Sequence, residues 1–212
     1  MKAKILAALV ALASLAAPSA AQTITFTANI EPATLATFCM EETHIVSSNG
    51  SMLRSLVLDL DKYVGKPWEF TATLAGVECP IWYVTEAKPA KGTLVFCGNP
   101  VPGCPIRMRV GPTDVIGQWL LWYSATPGFL AIDPVLGTAM LGGNIRFLAT
   151  GNTFGTTATY DANLPTAPGL VGLTIYAQGA RRDTGKIGPF TLTNPVSFKI
   201  LGPSPPCIVP DC

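Results

Sequence analysis

Six cysteines carry the clearest chemistry in this sequence. They are Cys39, Cys79, Cys97, Cys104, Cys207 and Cys212. An even number of cysteines in an exported chain predicts three disulfides. Zinc binding is disfavoured, because the chain has no C-x-x-C motif and His44 is its single histidine. We therefore expect no metal and no cofactor.

Many pairings of six cysteines are possible, and sequence alone does not choose among them. Locality favours one set. Cys97 and Cys104 bracket a turn-rich loop, and Cys207 and Cys212 bracket four residues of the tail, which leaves Cys39 for Cys79. The tail pair has an alternative, because a proline-rich end could also bridge to another molecule.

His44 is the residue that a Ser-His-Asp or Cys-His mechanism would have to use. No Gly-x-Ser-x-Gly elbow accompanies it, and the cysteines are better explained as disulfides. Asp59 and Asp61 resemble the start of a calcium loop, but Val64 stands where that loop requires glycine. A structural or surface role for His44 is therefore favoured.

Glycosidase chemistry needs two carboxylates across a cleft. Asp114, Asp133 and Asp161 could approach one another in space, but each lies in a turn-like context where aspartate is common. We therefore predict a protein without enzymatic activity.

Three aromatic residues could stack on a ligand: Trp119, Trp122 and Tyr123. Trp119 and Trp122 are three residues apart, so in a strand they point to opposite faces. One of them must leave the core face. An exposed indole beside Tyr123 could stack on a sugar ring, whereas burial between two domains is the favoured alternative.

Alternation of apolar and polar residues runs through the chain and predicts β-strands. The alternating segments are 23–30, 56–60, 68–74, 106–110, 173–178 and 196–200. Twenty glycines and nineteen prolines separate them, and Asn49-Gly50 predicts a hairpin turn. No segment after residue 21 keeps helical spacing for three turns, so we predict an all-β protein.

The first residues predict export. Lys2 and Lys4 precede an apolar run, and small residues around Ala21 form a cleavage site, as in a secretory signal peptide over residues 1–21. The run is too short to cross a membrane, and no other span follows.

Removing Lys2 and Lys4 from 14 basic residues leaves 12 against 13 acidic ones, a net charge of −1. Nucleic acid binding therefore lacks its electrostatic basis.

Two domains are expected in the remainder. A polar run around 87–92 separates an N-terminal β domain over 22–88 from a C-terminal β-sandwich over 93–201, and a Pro/Cys tail covers 202–212. Charged residues make up only 13% of the chain. Such a surface repels copies of itself weakly, which permits adhesion or assembly.

Residues 58–85 carry Gly65-Lys66, then a strand, Cys79-Pro80 and Trp82-Tyr83-Val84. This segment resembles the first hairpin of small OB-like barrels. Residues 111–201 contain a Leu-x-Gly-Leu…Tyr-x-Gln…Leu-Thr-Asn pattern and resemble a β-sandwich unit of uncharacterised secreted bacterial proteins. The resemblance implies export, an OB-like domain and an Ig-like β-sandwich, and it implies no functional residues.

The combined features favour a secreted structural or adhesive protein, with an extracellular filament or surface assembly as one form of that role. Self-assembly is the expected partnership. A carbohydrate-binding module, with an extracellular polysaccharide as its partner, is the alternative. Residues 22–31 could pair with a neighbouring subunit through Ile24, Phe26 and Ile30, although pairing inside their own domain is favoured.

Overall fold

The structure is a computed structural model that describes residues 22–34, 43–76, 80–111, 117–133, 137–153, 157–183, 190–203 and 206–207. Within these ranges the chain forms strands and two short 3-10 helices, which confirms the all-β prediction. The predicted signal peptide lies outside the described residues, as do Cys39, Cys79, Asp114 and Cys212.

The N-terminal half forms one curled sheet of six strands. In chain order its elements are β1 (Thr23–Ala28), β2 (Ile30–Pro32), β3 (His44–Val46), β4 (Met52–Arg54), a 3-10 helix (Leu60–Tyr63), β5 (Trp68–Ala75) and β6 (Ile81–Pro89). The order in the sheet is β1-β5-β6-β4-β3-β2. Neighbours are antiparallel except β4 and β6. Because only Asn29 separates β1 from β2, the two ends of the sheet are halves of one bent strand.

The predicted strand over 56–60 is wrong. The hydroxyl oxygen of Ser55 accepts hydrogen bonds from the backbone N–H groups of Val57 and Leu58, at 3.2 and 2.9 Å. A serine turn of this kind competes with strand pairing for the backbone. Leu56 is consequently 75% exposed, and Leu60 enters the core from the 3-10 helix instead.

The C-terminal half contains ten strands and a second 3-10 helix within the described residues. They are β7 (Thr93–Cys97), β8 (Pro105–Gly111), β9 (Gly117–Ser124), β10 (Thr126–Asp133), β11 (Gly137–Gly142), β12 (Arg146–Thr153), β13 (Ala158–Asn163), the helix Pro168–Leu170, β14 (Thr174–Asp183), β15 (Thr191–Leu192) and β16 (Val196–Lys199). One sheet has the order β13-β8-β7. A second has the order β12-β9-β14-β15, with β16 also on β14. A core of apolar residues from both sheets lies between them.

The hairpin β10–β11 forms a sheet of its own and joins the two halves of the molecule. Met140 of β11 is fully buried in the apolar cluster of the N-terminal sheet. The Phe129 ring of β10 lies 5.6 Å from the Phe26 ring and 4.7 Å from the Trp82 ring, between centroids. The core of the N-terminal sheet is therefore completed by residues outside the predicted range 22–88.

The predicted linker over 87–92 is shorter in the structure. Its first three residues extend β6, where Pro89 pairs with Trp68. Ala90, Lys91 and Gly92 then lead into β7, and Gly92 packs beside Thr193. The two halves are thus joined by a short connection and by the β10–β11 hairpin.

Candidate functional site

His44 has a buried side chain with a partner on each ring nitrogen. Its Nε2 lies 3.1 Å from Oδ1 of Asp61, and its Nδ1 lies 3.0 Å from Oγ1 of Thr43. These contacts tie β3 to the first 3-10 helix.

Asp59, the other acidic residue of the segment that resembles a calcium loop, forms an ion pair with Lys62 at 3.4 Å. Among the described residues, no group of three His, Cys, Asp or Glu side chains could hold a metal.

Of the carboxylates in the glycosidase hypothesis, that of Asp161 forms an ion pair, and Asp114 lies outside the described residues. Asp161 binds Arg107 across β13 and β8, with 2.7 Å between Oδ1 and Nε. Asp133 is the last residue of β10, where it pairs with Gly137. Elsewhere on the surface, the hydrogen bond from Lys88 to Glu86 raises the pKa of the Lys88 ammonium group.

The predicted disulfide pairing is wrong for the described cysteines. Cys104 is bonded to Cys207, with 5.2 Å between the Cα atoms. This bridge excludes both the Cys97–Cys104 and the Cys207–Cys212 pairs. The tail reaches Cys104 because it turns back over the 97–104 loop, where the Asn99 side chain donates to the carbonyl of Pro206 at 3.1 Å. Cys97 is disulfide-bonded as well.

The three candidate stacking residues separate as the alternation predicts. Trp119 is only 8% exposed and packs in the core between the two C-terminal sheets. Trp122 faces the opposite way and packs, partly buried, against a small cluster that includes Ala139 of the β10–β11 hairpin. Tyr123 returns to the first face and lines a cavity. Neither indole therefore offers an open stacking platform.

The strand proposed for subunit pairing is paired within its own chain. All of β1 is in register with β5, from Thr23 opposite Thr73 to Ala28 opposite Trp68. The three residues named for exchange are buried in the same core: Ile24, Phe26 and Ile30. This arrangement corresponds to the favoured alternative, in which the segment belongs to its own domain.

A buried polar network explains the most distinctive sequence pattern. Gln178 is fully buried; its Oε1 accepts from the Met140 N–H at 2.8 Å, and its Nε2 donates to the Thr193 carbonyl at 2.7 Å. Asn194 accepts from the Leu94 N–H at 2.9 Å and donates to the Leu94 carbonyl at 3.1 Å. The Gln and the Thr-Asn of the pattern thus connect the two C-terminal sheets and the hairpin. Their role is architectural.

A cavity of about 290 Å³ opens at one end of the two C-terminal sheets, and we call it the sandwich cavity. β9, β13 and β16 end here, and β8, β12 and β14 begin here. Its walls are mainly aliphatic and aromatic side chains from both sheets, including Ile106, Met108, Leu148 and Ile175. The Tyr123 and Tyr160 rings complete the walls. No sequence pattern indicated this cavity, because its lining comes from six separate strands.

A second, more polar cavity of about 360 Å³ lies where the two halves meet, and we call it the junction cavity. Asn29, Ser47 and Ser48 line it from the N-terminal half, and Val95 and Ser197 are among the lining residues of the other half. The Asn29 Oδ1 and Ser48 Oγ atoms are buried and have no hydrogen-bond partner among the described residues.

The chain's sequence matches no known protein family and no characterised protein. In the part of the chain that the structure describes, no helix has both the length and the apolar character needed to cross a membrane.

Proposed function

We propose that this chain is a secreted, non-enzymatic β protein with a structural or adhesive role, and that copies of it associate through apolar surfaces. The observation that carries this proposal is the presence of exposed apolar residues on both halves of the molecule. Leu56 and Val57 are 75% and 70% exposed on the N-terminal half. We call these two residues the loop patch.

The C-terminal half carries a second exposed apolar surface, formed by Val171, Leu173 and Leu201, which we call the end patch. Two backbone hydrogen bonds hold its parts together: Gly172 donates to the Ile200 carbonyl and Ile200 donates to the Leu173 carbonyl, both at 2.8 Å. A surface fixed in this way loses little conformational freedom when a partner covers it.

The loop patch and the end patch differ in sequence and position, so a contact between them on two copies is heterologous. Contacts of that type generate rings or open filaments. The low charge content supports association, because weak mutual repulsion leaves apolar contacts unopposed. Export, over a signal peptide at residues 1–21, supplies the extracellular setting, and the Cys104–Cys207 disulfide suits an oxidising compartment.

Sedimentation velocity of the exported protein tests the proposal. We expect concentration-dependent polymers for the native chain and a monomer for Leu173→Lys or Val57→Lys. Val95→Lys is the matched control, since Val95 is also exposed but lies outside both patches; it should leave the polymers unchanged. A native chain that stays monomeric at all concentrations would refute the proposal.

Mixing variant chains with native chains tests the head-to-tail arrangement directly. In a heterologous assembly, Leu173→Lys chains keep an intact loop patch and should bind one end of a polymer without extending it. A small fraction of this variant should therefore shorten native polymers, whereas the Leu173→Lys/Val57→Lys double variant should leave their length unchanged. Equal effects of the single and double variants would contradict the head-to-tail arrangement.

We also propose the finer architecture that the sequence resemblance implies, an OB-like barrel over 22–88 and an Ig-like sandwich over 93–201, followed by the tail 202–212. Counting β1 and β2 as one bent strand, the N-terminal sheet has five strands and its ends meet, as in a five-stranded Greek-key barrel. Two facing sheets with an apolar core between them support the sandwich.

Carbohydrate binding is the second candidate function, and the junction cavity favours it. Hydroxyl and amide groups of Asn29, Ser47, Ser48 and Ser197 line this cavity beside the apolar Val95. The exposed hydroxyls of Ser47 and Ser197 could exchange hydrogen bonds with those of a sugar. Glycan-array binding that Ser47→Val abolishes and Thr159→Val retains would support this function, since Thr159 is exposed outside the cavity. Binding unaffected by Ser47→Val would exclude the cavity as the site.

A further inference from the structure

The sandwich cavity has the composition of a site for an apolar ligand. Its lining is almost entirely hydrocarbon, and the polar groups are confined to the two tyrosines and Asn163. Ligand sites are typically apolar cavities with a few placed polar groups. A sugar would leave most of its hydroxyl groups without partners here, and such unpaired polar groups are costly. The cavity is therefore suited to a hydrocarbon.

The volume indicates how large that hydrocarbon is. A cavity of about 150 Å³ accepts one benzene, which has six carbons. The sandwich cavity, at about 290 Å³, is roughly twice as large and therefore has room for about ten carbons. The space lies between two facing sheets, about 10 Å apart in such packings, and a slot of this shape admits a single extended chain.

The charge at the mouth indicates the head group. Arg146, the first residue of β12, lies directly opposite Tyr123 in the β12–β9 register, and so on the face that lines the cavity. It is exposed, and it has no ion-pair partner among the described residues. The carboxylate of Asp161 does not line the cavity and is bound to Arg107. An anionic group at the mouth would therefore meet an available guanidinium.

We propose that the sandwich cavity binds one saturated fatty acid of about ten carbons, with its chain between the two sheets and its carboxylate beside Arg146. This proposal does not depend on the adhesive function, because the loop patch and the end patch lie outside the cavity lining.

Calorimetric titration of the full exported chain with decanoic acid and with 1-decanol tests the proposal. Both ligands should bind, because the chain supplies most of the affinity. Ala162→Phe places a ring in the cavity from β13 and should weaken both ligands at least about tenfold. Thr159→Phe is the matched control, because Thr159 is exposed and does not line the cavity; it should change neither affinity. Absence of binding of both ligands to the native chain would overturn the proposal.

The head group is tested separately. Arg146→Glu should weaken decanoic acid about fivefold or more and leave 1-decanol within about twofold of the native affinity. An equal loss for both ligands would overturn the role of Arg146. If circular dichroism shows that Ala162→Phe does not fold, Ala162→Leu replaces it. Ala162→Leu should weaken the binding of both ligands less than Ala162→Phe, because a leucine side chain fills less of the cavity.

Two further experiments define the chain length and the source of the ligand. Hexanoic acid should bind at least about tenfold more weakly than decanoic acid, because it buries fewer methylene groups. Equal affinities for hexanoic and decanoic acid would contradict insertion of the chain.

Vesicles of phosphatidylglycerol should not sediment the protein. Sedimentation that Ala162→Phe abolishes would assign the cavity to a membrane lipid and overturn its assignment to a free acid.

Discussion

The side-chain oxygen of Gln178 accepts a hydrogen bond from the backbone N–H of Met140, at 2.8 Å and out of contact with water. Gln178 belongs to β14 of the C-terminal sheets, whereas the Met140 side chain is buried in the core of the N-terminal sheet. One polar contact thus fixes the hairpin that both halves of the molecule share. Stability and relative placement of the two halves are therefore linked through this glutamine.

Gln178→Leu should destabilise the protein substantially. The leucine leaves the Met140 N–H and the Thr193 carbonyl buried without partners, at about 1–3 kcal/mol each. Urea-induced unfolding measures the loss. Gln118→Leu is the control, because Gln118 is only partly buried and bonds to the Arg182 side chain; its cost should stay below about 1 kcal/mol. Equal stability of the two variants would contradict a central role for Gln178.

The Cys104–Cys207 disulfide should make a large contribution to stability. It closes a loop with a sequence separation of 103, for which chain entropy predicts about 4–5 kcal/mol as an upper estimate. Replacing both cysteines by serine should lower the free energy of unfolding by a large part of that amount. Peptide mapping without reduction should recover Cys104 joined to Cys207, and a Cys97–Cys104 peptide would contradict the structure.

Gly151 provides a test of how Trp119 packs. Gly151 of β12 lies opposite Trp119 of β9, and a Cβ atom at Gly151 would come within 2.9 Å of the indole ring. Gly151→Ala should therefore cost about 1–3 kcal/mol through overpacking. Gly169→Ala is the matched control, because its Cβ would meet nothing within 4 Å. If thermal unfolding gives the same midpoint for both variants, the indole does not lie against β12.

Alternation predicted the strands and their inward faces well where one face of a strand is buried in a core and the other is not. Ile24, Phe26, Phe70 and Ala72 were assigned to apolar faces by period-two spacing, and all four are buried in one core. The failure at 56–60 has a local cause, because the Ser55 hydroxyl competes for the backbone N–H groups of that segment. A serine just before an alternating run is a signal that could have indicated this turn.

Distant contacts could not be predicted in the same way. The pairing of Cys104 with Cys207 depends on the path of the tail over the 97–104 loop, so proximity in sequence was the wrong criterion. Burial of Met140 with Phe26 depends on a hairpin that crosses between the halves. The sandwich cavity was missed for the same reason, since neighbouring residues in it are far apart along the chain.

Deleting residues 22–30 should remove the folded monomer itself, because β1 pairs along its whole length with β5 in its own chain. Phe26→Ala is the milder form of this experiment. Phe26 is 2% exposed and its ring contacts those of Phe70, Trp82 and Phe129, so its truncation should cost about 3–5 kcal/mol. Thr25→Ala, on the other face of β1, should cost less than about 1 kcal/mol. Circular dichroism and sedimentation distinguish the outcomes. A deletion variant that remains a folded, soluble monomer but no longer forms polymers would show that this strand acts between subunits rather than within one.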